Sequence, residues 1–554
     1  MQGNHSKRTC AFSAQAFAAL WAAVIVAAAG GGALAAPTET VLYFFTGGSD
    51  GSGPSGLIAD SSGDLYGTTV SGGASTLSGG TVFKVSPDRA ETVMHSFTGR
   101  PSDGSGPLAG LIADSSGNLY GTTDVGGASN EGTVFKLSQG GTETVLHTFT
   151  GGSDGAFPQA GLIADSSGNL YGTTQDGGAL GQGTVFRLSP GGTETVLYSF
   201  CPSFPSCSDG AIPHAGLIAD SKGNLYGTTF GGGAATGCGG FGGCGVVFKV
   251  SPGGTETVLY SFTGTDDGAN PQAGLIADSS GNLYGTTEFG GGLSTQDCPF
   301  GCGVVFKLSP SGTETVLHSF AGGSDGVNPL AGLIADSSGN LYGTTSYTVF
   351  KLSPGGTETV LYSFKGGISD GISPAAGLIA DSSGNLYGTT EFGGASDAGT
   401  VFKLTGTGFV PAVQFAAFSP TAMIDFGTMP NTDSFILKSS FTLGSTSKGI
   451  NPPAQPVTFQ IGTLTMTIPP GSFTGTTTGS SFGPFTFAGT INGVSLHAAI
   501  MLTGTKRFSF QAGAQNASLT GTVNPVPVTL TIGNNSGPTS VTATILQPPA
   551  SKVH

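Results

Sequence analysis

Charge and tryptophan are the scarcest features of this chain. Asp, Glu, Lys and Arg together make up only 9% of its 554 residues, against about 25% in an ordinary globular domain. Helices laced by surface ion pairs are therefore not expected. What charge there is leans acidic, 33 Asp and Glu against 18 Lys and Arg, which excludes a basic nucleic-acid-binding surface. Trp21 is the single tryptophan and falls in the N-terminal apolar run, so the strongest sugar-stacking side chain is absent from the rest. No EF-hand, nonapeptide calcium repeat or Ser-x-Asp-x-Gly-x-Thr-Trp box occurs, which removes the common calcium and sialidase signatures. Glycine and proline, by contrast, are plentiful at 98 and 31 residues. A hydrophobic share of 37% argues against disorder. Many turn formers with enough apolar residues for a core point to an all-β protein.

Residues 1–36 read as a signal peptide. Lys7 and Arg8 precede an apolar run from Ala16 to Gly32, and Ala33-Leu34-Ala35 has the small-x-small cleavage pattern. The run is short for a membrane span, so the mature chain is expected to carry none and to be secreted, periplasmic or held at a bacterial cell surface. Six cysteines follow the leader in three tight pairs, Cys201 with Cys207, Cys238 with Cys244 and Cys298 with Cys302. An even count in an exported chain reads as local disulfides. A metal site is the competing reading, but no His lies near any pair.

Internal repetition sets the fold class. Gly-Leu-Ile-Ala-Asp begins at Gly56, Gly110, Gly161, Gly216, Gly274, Gly332 and Gly377. The copies continue into Leu-Tyr-Gly-Thr-Thr, a variable Gly-rich loop, a segment like Thr184-Val-Phe-Arg-Leu188 and, in all but the last, a turn like Ser-Pro-Gly-Gly and a segment like Glu194-Thr-Val-Leu-Tyr-Ser-Phe200. Four short strands per unit of about 50 residues, seven times over, predict a seven-bladed β-propeller at 38–404. Glu39-Thr-Val-Leu-Tyr-Phe-Phe45 resembles a fourth strand, and the last copy stops after its third at Leu404. The N-terminal strand is thus expected to close the ring and remove two exposed edges, with Lys403 meeting Glu39. A linker at 405–411, a β-sandwich-like unit at 412–548 and a tail at 549–554 complete the expected organisation.

These motifs resemble the bacterial GloVer tandem repeats of exported "choice-of-anchor" proteins, over residues 38–404. The resemblance implies a bacterial exported protein and supplies no catalytic residues to carry over. The final Ser551-Lys-Val-His554 shows no terminal apolar helix or sorting signal, a departure from that family's theme.

Residues that recur in every copy read first as structural. Lys84, Lys136, Arg187, Lys249, Lys307 and Lys351 are each followed seven residues later by a Glu, a pair expected to face across the hairpin. His95, His147 and His318 stand where Tyr43, Tyr198, Tyr260 and Tyr362 stand in other copies and read as packing variants. Asp50, Asp103, Asp154, Asp209, Asp267, Asp325 and Asp370 each precede Gly, with Pro four residues on. They fall in the loops from the outer strand of one blade to the inner strand of the next. Asp124, Asp176, Glu288 and Glu391 open the Gly-rich loops, which belong to the same face, and His214 adds a loop imidazole beside Pro213. Blade six has lost most of its loop at Thr345-Ser-Tyr-Thr348, a notch in the rim. Insertions, acids and staples gathered on one face mark it as a binding face.

Calcium takes six to eight oxygens, and a ring of carboxylates has that chemistry; the plainer reading is that each Asp closes its own turn. No metal is assigned and no cofactor is required. Three function classes follow: a noncatalytic, monomeric binding or surface protein for a glycan or protein ligand, an extracellular carbohydrate-active lyase or hydrolase, and a structural scaffold. The catalytic class lacks a constellation, because the residues that break the repeat are scattered.

Overall fold

The computed structural model describes residues 36–546, except 204–205, 236–237, 239–241, 279, 293, 297, 412 and, in the C-terminal part, 426–432, 444–456, 462–463, 470–471, 475–476, 479–480, 483–484, 492–493, 505–506, 518–525, 533–534 and 542–543. The expected signal peptide and tail lie outside the described residues. Within them the protein is all-β, with one single-turn 3₁₀ segment at Gly323–Asp325. No helix among the described residues is long and apolar enough to cross a membrane.

Each repeat folds into one antiparallel sheet built on the same four strands, to which the first copy adds Ser52–Pro54 as a fifth. In the second copy the strands are Ile112–Ala113, Leu119–Thr123, Thr133–Leu137 and Glu143–Thr148, paired in chain order. The two middle strands are buried on both faces, which explains why they read as nearly continuous apolar runs rather than alternating ones. Register places Gly121 opposite Phe135. A Cβ on Gly121 would lie 2.7 Å from that ring, so the Gly of Leu-Tyr-Gly-Thr-Thr is there because the Phe lies across it.

Seven such sheets follow one another among the described residues, joined by two recurring contacts. A Phe at the end of each outer strand packs edge-on against the third-strand Phe of the following sheet, as Phe97 does on Phe135 at 5.1 Å and Phe149 on Phe186 at 5.3 Å. A second-strand Thr hydroxyl donates to a carbonyl at the start of the next inner strand, for example Thr122 to Ala160 at 2.9 Å. Both contacts also join the last sheet to the first, through Phe45 on Phe83 at 5.0 Å and Thr389 to Ser55 at 3.0 Å.

The seventh sheet takes its outer strand from the other end of the array: Thr38–Phe44 pairs antiparallel with Thr400–Thr405. The residue pairing differs from expectation. Glu39 lies opposite Leu404, and Lys403 lies opposite Thr40. The same offset holds inside the repeats, where Val85 faces Glu91 and Lys84 faces Thr92. Five residues, Ser86 to Ala90, separate the facing pair, and a register change of one moves a side chain to the other face. The Lys–Glu pairing is therefore corrected throughout. Lys84 instead reaches Asp64 at 2.6 Å, and Lys403 lies over the Tyr387 ring at 5.3 Å.

After Thr405 the chain crosses the turns of the sixth and seventh sheets. Thr407 donates to Gly384 carbonyl oxygen at 2.8 Å, Ser337 Oγ donates to Val410 carbonyl oxygen at 2.8 Å, and Phe409 covers Tyr342 at 5.0 Å. The C-terminal strands run in one path: Leu464–Ile468, Val457–Ile461, Val526–Ile532, Asn535–Val541, Val413–Asp425, Asp433–Leu443, Arg507–Ala517, Val494–Gly504 and Phe485–Ile491. Phe459 near one end of the path packs against Phe435 and Phe510, several strands away. The path therefore folds back around one apolar cluster.

Candidate functional site

The acids expected on one face separate into two places. The seven recurring Asp sit at the seams between sheets, folded into their own turns. Asp50 accepts from the Thr46 amide at 2.7 Å and from the Tyr43 hydroxyl at 3.1 Å. Asp209 repeats this with the Cys201 amide and Tyr198, and Asp370 with the Lys365 amide and Tyr362. Where His replaces Tyr, the imidazole makes the contact in two of three copies, from His95 to Asp103 at 3.3 Å and from His318 to Asp325 at 3.1 Å, whereas His147 Nε2 stays 3.7 Å from Asp154. Their carboxylates are engaged by their own loops rather than offered outward, because the Asp-Gly turn brings the side chain back onto amides the outer strand leaves open.

Beside each of these Asp stands the Glu that opens the outer strand of the following sheet. Oε1 of Glu39, Glu91, Glu143, Glu194, Glu256, Glu314 and Glu358 is buried without a hydrogen-bond partner. Burial, and then the charge of the neighbouring Asp, pushes each of these seven carboxyls up to about 7. Glu39 meets Asp370 in this way. The closing strand thus repeats the seam made at every other junction, and Asp370 takes the place expected for Lys403. His95, Asp103 and Glu143 bring their ligand atoms within 4.8 Å of one another, but Asp103 already accepts from the Thr98 amide and hydroxyl and the Gly104 amide.

The second place is a funnel of about 370 Å³ where the starts of the inner strands converge. Its lining includes Ser55, Leu108, Gln159, His214, Gln272 and Ala375, drawn from six sheets, together with Gly56, Gly110, Gly161, Gly216 and Gly377. Six inner strands thus contribute to one cavity. The glycines form its floor because neighbouring inner strands nearly touch; a Cβ on Gly56 would lie 3.1 Å from Gly110 Cα.

Of the expected ligand-face residues, His214 and Glu391 line this funnel, and Asp124 and Glu288 stand behind it. Gln159 Nε2 donates to Asp124 at 3.1 Å, and Gln272 Nε2 donates to Glu288. His214 stacks on Phe230 at 5.2 Å with 21° between the planes, and its Nε2 is buried and unpartnered. Burial lowers the His214 pKa, against a hydrogen bond with Gln272, so the neutral imidazole is favoured. Burial raises Glu288, Glu391 and Asp124, opposed in turn by Gln272, Ser373 and Gln159. Asp176 is not in the lining; its backbone bridges to Ala156.

Gln159 and Gln272 were not among the expected site residues. Their signal was present, because the position after Pro in Pro-x-Ala-Gly changes from copy to copy: Leu108, Gln159, His214, Gln272, Leu330, Ala375.

The disulfides pair as expected, Cys201–Cys207, Cys238–Cys244 and Cys298–Cys302. In the sixth sheet the shortened loop is a tight turn in which the Thr345 amide donates to the Thr348 carbonyl oxygen. That sheet's Thr344 hydroxyl has no partner, unlike its counterparts at the other seams.

The profile of the Gloeobacter/Verrucomicrobia repeat matches residues 32–238, 234–348 and 292–493. The chain belongs to the Gloeobacter/Verrucomicrobia repeat family. No curated protein matches it. Among solved structures, this Gloeobacter/Verrucomicrobia repeat protein is similar to the extracellular domain of a hybrid two-component system from B. thetaiotaomicron, with 14% identity, 92% of this chain covered and a TM-score of 0.43. The chain spans 58% of that protein. It is also similar to a gluconolactonase from Xanthomonas campestris, with 12% identity, 67% of this chain and 90% of that one covered, and a TM-score of 0.34. A third similar structure is a polysaccharide lyase, an ulvan lyase, with 10% identity, 64% and 94% coverage and a TM-score of 0.40. In this Gloeobacter/Verrucomicrobia repeat protein the funnel offers amides, an imidazole and the Glu391 carboxyl, and no Lys or Arg lines it.

Proposed function

We propose that this is an exported, noncatalytic binding protein that takes its ligand in the axial funnel of a closed seven-bladed propeller at 38–404, followed by a C-terminal β-sandwich at 412–548. One observation carries the reading. The strands and turns are nearly identical from copy to copy, whereas the position at the axis takes five residue types in seven copies. A side chain that each blade needed for folding would recur in each blade. Variation at the place where six blades meet, set against nearly constant strands, belongs to a property of the whole ring, and recognition of one ligand is such a property. The three disulfides fit an oxidising compartment.

A glycan array probed with residues 37–554, with and without calcium, tests the proposal beside a Gln159→Ala/Gln272→Ala variant and a variant of the opposite turns, Ser166→Ala/Ser167→Ala. Binding lost in the first and kept in the second is the expected result. The reverse pattern overturns the choice of site. Turnover of any bound glycan overturns the noncatalytic reading.

A further inference from the structure

The funnel is small, at the low end of the roughly 300–1,000 Å³ typical of ligand pockets, and its two walls differ. One carries Gln159, His214 and Gln272; the other carries Val70, Leu108 and Ala375 over the glycine floor, with Ser55 and the Glu391 carboxyl at its edge. Each Gln spends an N–H on a carboxylate behind it. That bond fixes each amide plane; it leaves Gln159 its oxygen and second N–H for a ligand, while Gln272 also hydrogen-bonds His214 and keeps one of these groups free. A donor and an acceptor side by side match a hydroxyl group, which is both. His214, held flat against Phe230 with a buried and unpartnered Nε2, supplies a further fixed polar atom. An anionic ligand would meet Glu391, with Asp124 and Glu288 close behind, and no cation in the lining to offset the loss of its hydration.

We infer that the funnel binds an uncharged, hydroxyl-rich ligand of one or two sugar rings and rejects uronic and sulfated sugars. This rests on the funnel being the binding site. A pyranose has the matching asymmetry: its hydroxyls meet the amide wall, and its C–H surface lies on the apolar wall and the glycine floor.

Titration calorimetry on the full mature chain tests this with cellobiose, maltose and lactose as neutral probes, cellobiouronic acid as the charged counterpart of the first, and spermidine as a cation. At least one neutral disaccharide is expected to bind at least about tenfold more tightly than the acid. Gln159→Ala and Gln272→Ala should each weaken that binding by about tenfold, with the melting temperature unchanged. Gln159→Asn, which keeps the amide but withdraws it by one methylene, serves if an Ala variant unfolds. Glu391→Gln should narrow the gap between neutral and acidic sugar. The inference falls if the acid binds as tightly as its neutral counterpart, if only spermidine binds, or if no neutral probe binds. A ligand of another class that is lost in the funnel variants would overturn this inference and leave the funnel as the site. Neutral-sugar binding that survives every funnel variant would overturn the funnel itself.

Discussion

The seams and the axis of the array both gather buried polar groups, but they were copied differently. At each seam the same set returns: an Asp folded into its own turn, a Tyr or His on it, a Glu from the next sheet and a pair of Phe rings. At the axis, Leu108, Gln159, His214, Gln272, Leu330 and Ala375 share one backbone position but carry four different side chains. The seam is a local problem met by each pair of neighbours, and one solution serves every time. The axis is shared by all sheets at once, so each copy can contribute a different group to a single cavity. In a repeat protein, then, recurrence points to packing and its breakdown points to use.

The comparison breaks most visibly if the closing strand is lost. Deleting residues 38–46 removes the fully buried Phe45 and leaves Asp370 without Glu39. We expect a melting transition lower by ten degrees or more, on the order of what several kcal/mol imply, measured by calorimetry. Next in size is Phe135→Ala, which empties the junction between the second sheet and the Phe97 ring. About 3–5 kcal/mol should be lost, read from denaturant midpoints. Funnel variants such as Gln159→Ala should leave that midpoint nearly unchanged. Equal losses at the two places would undo the distinction.

A smaller effect is expected from pH. The seven seam Glu are raised from 4.5 to about 7, so the folded state holds protons that the unfolded chain has released. Their contribution is complete below about 4.5 and is lost as pH rises through about 7. Melting temperature should therefore fall between pH 5 and pH 8, and Glu194→Gln should flatten part of that slope. A melting temperature that rises over this range would contradict the buried, unpartnered placement of these carboxyls.

The smallest prediction separates the sixth seam from the others. Thr122→Val removes the bond to Ala160 and should cost about 1 kcal/mol. Thr344→Val removes a hydroxyl that has no partner and should be neutral or slightly stabilising. Equal effects would show that the hydroxyl bond does not distinguish these junctions.

Much of this architecture is local and so was legible in the residues themselves. Gly-Leu-Ile-Ala-Asp followed by Ser-Ser-Gly specifies a turn because the Asp carboxylate caps the amides two and four residues on, as Asp165 does at 2.9 Å for both Ser167 and Asn169. The lone fourth strand at Glu39–Phe45 was recognisable because it matches Glu194–Phe200 at every position but one, where Phe44 replaces Ser199. Cysteines four to six residues apart can meet within one loop. Three things were not legible. The Lys–Glu pairing depended on a turn of five residues rather than four, which no periodicity reports. The recurring Asp are engaged at the seams because the end of one outer strand comes against the start of the next, and that is decided by how the sheets pack. Gln159, His214 and Gln272 lie 113 residues apart from first to last, and nothing in their surroundings along the chain joins them. Turn chemistry and strand pattern act over a few residues, so the sequence alone determined the blades. Closure of the ring acts over hundreds, so only the tertiary structure decided which side chains share the axis.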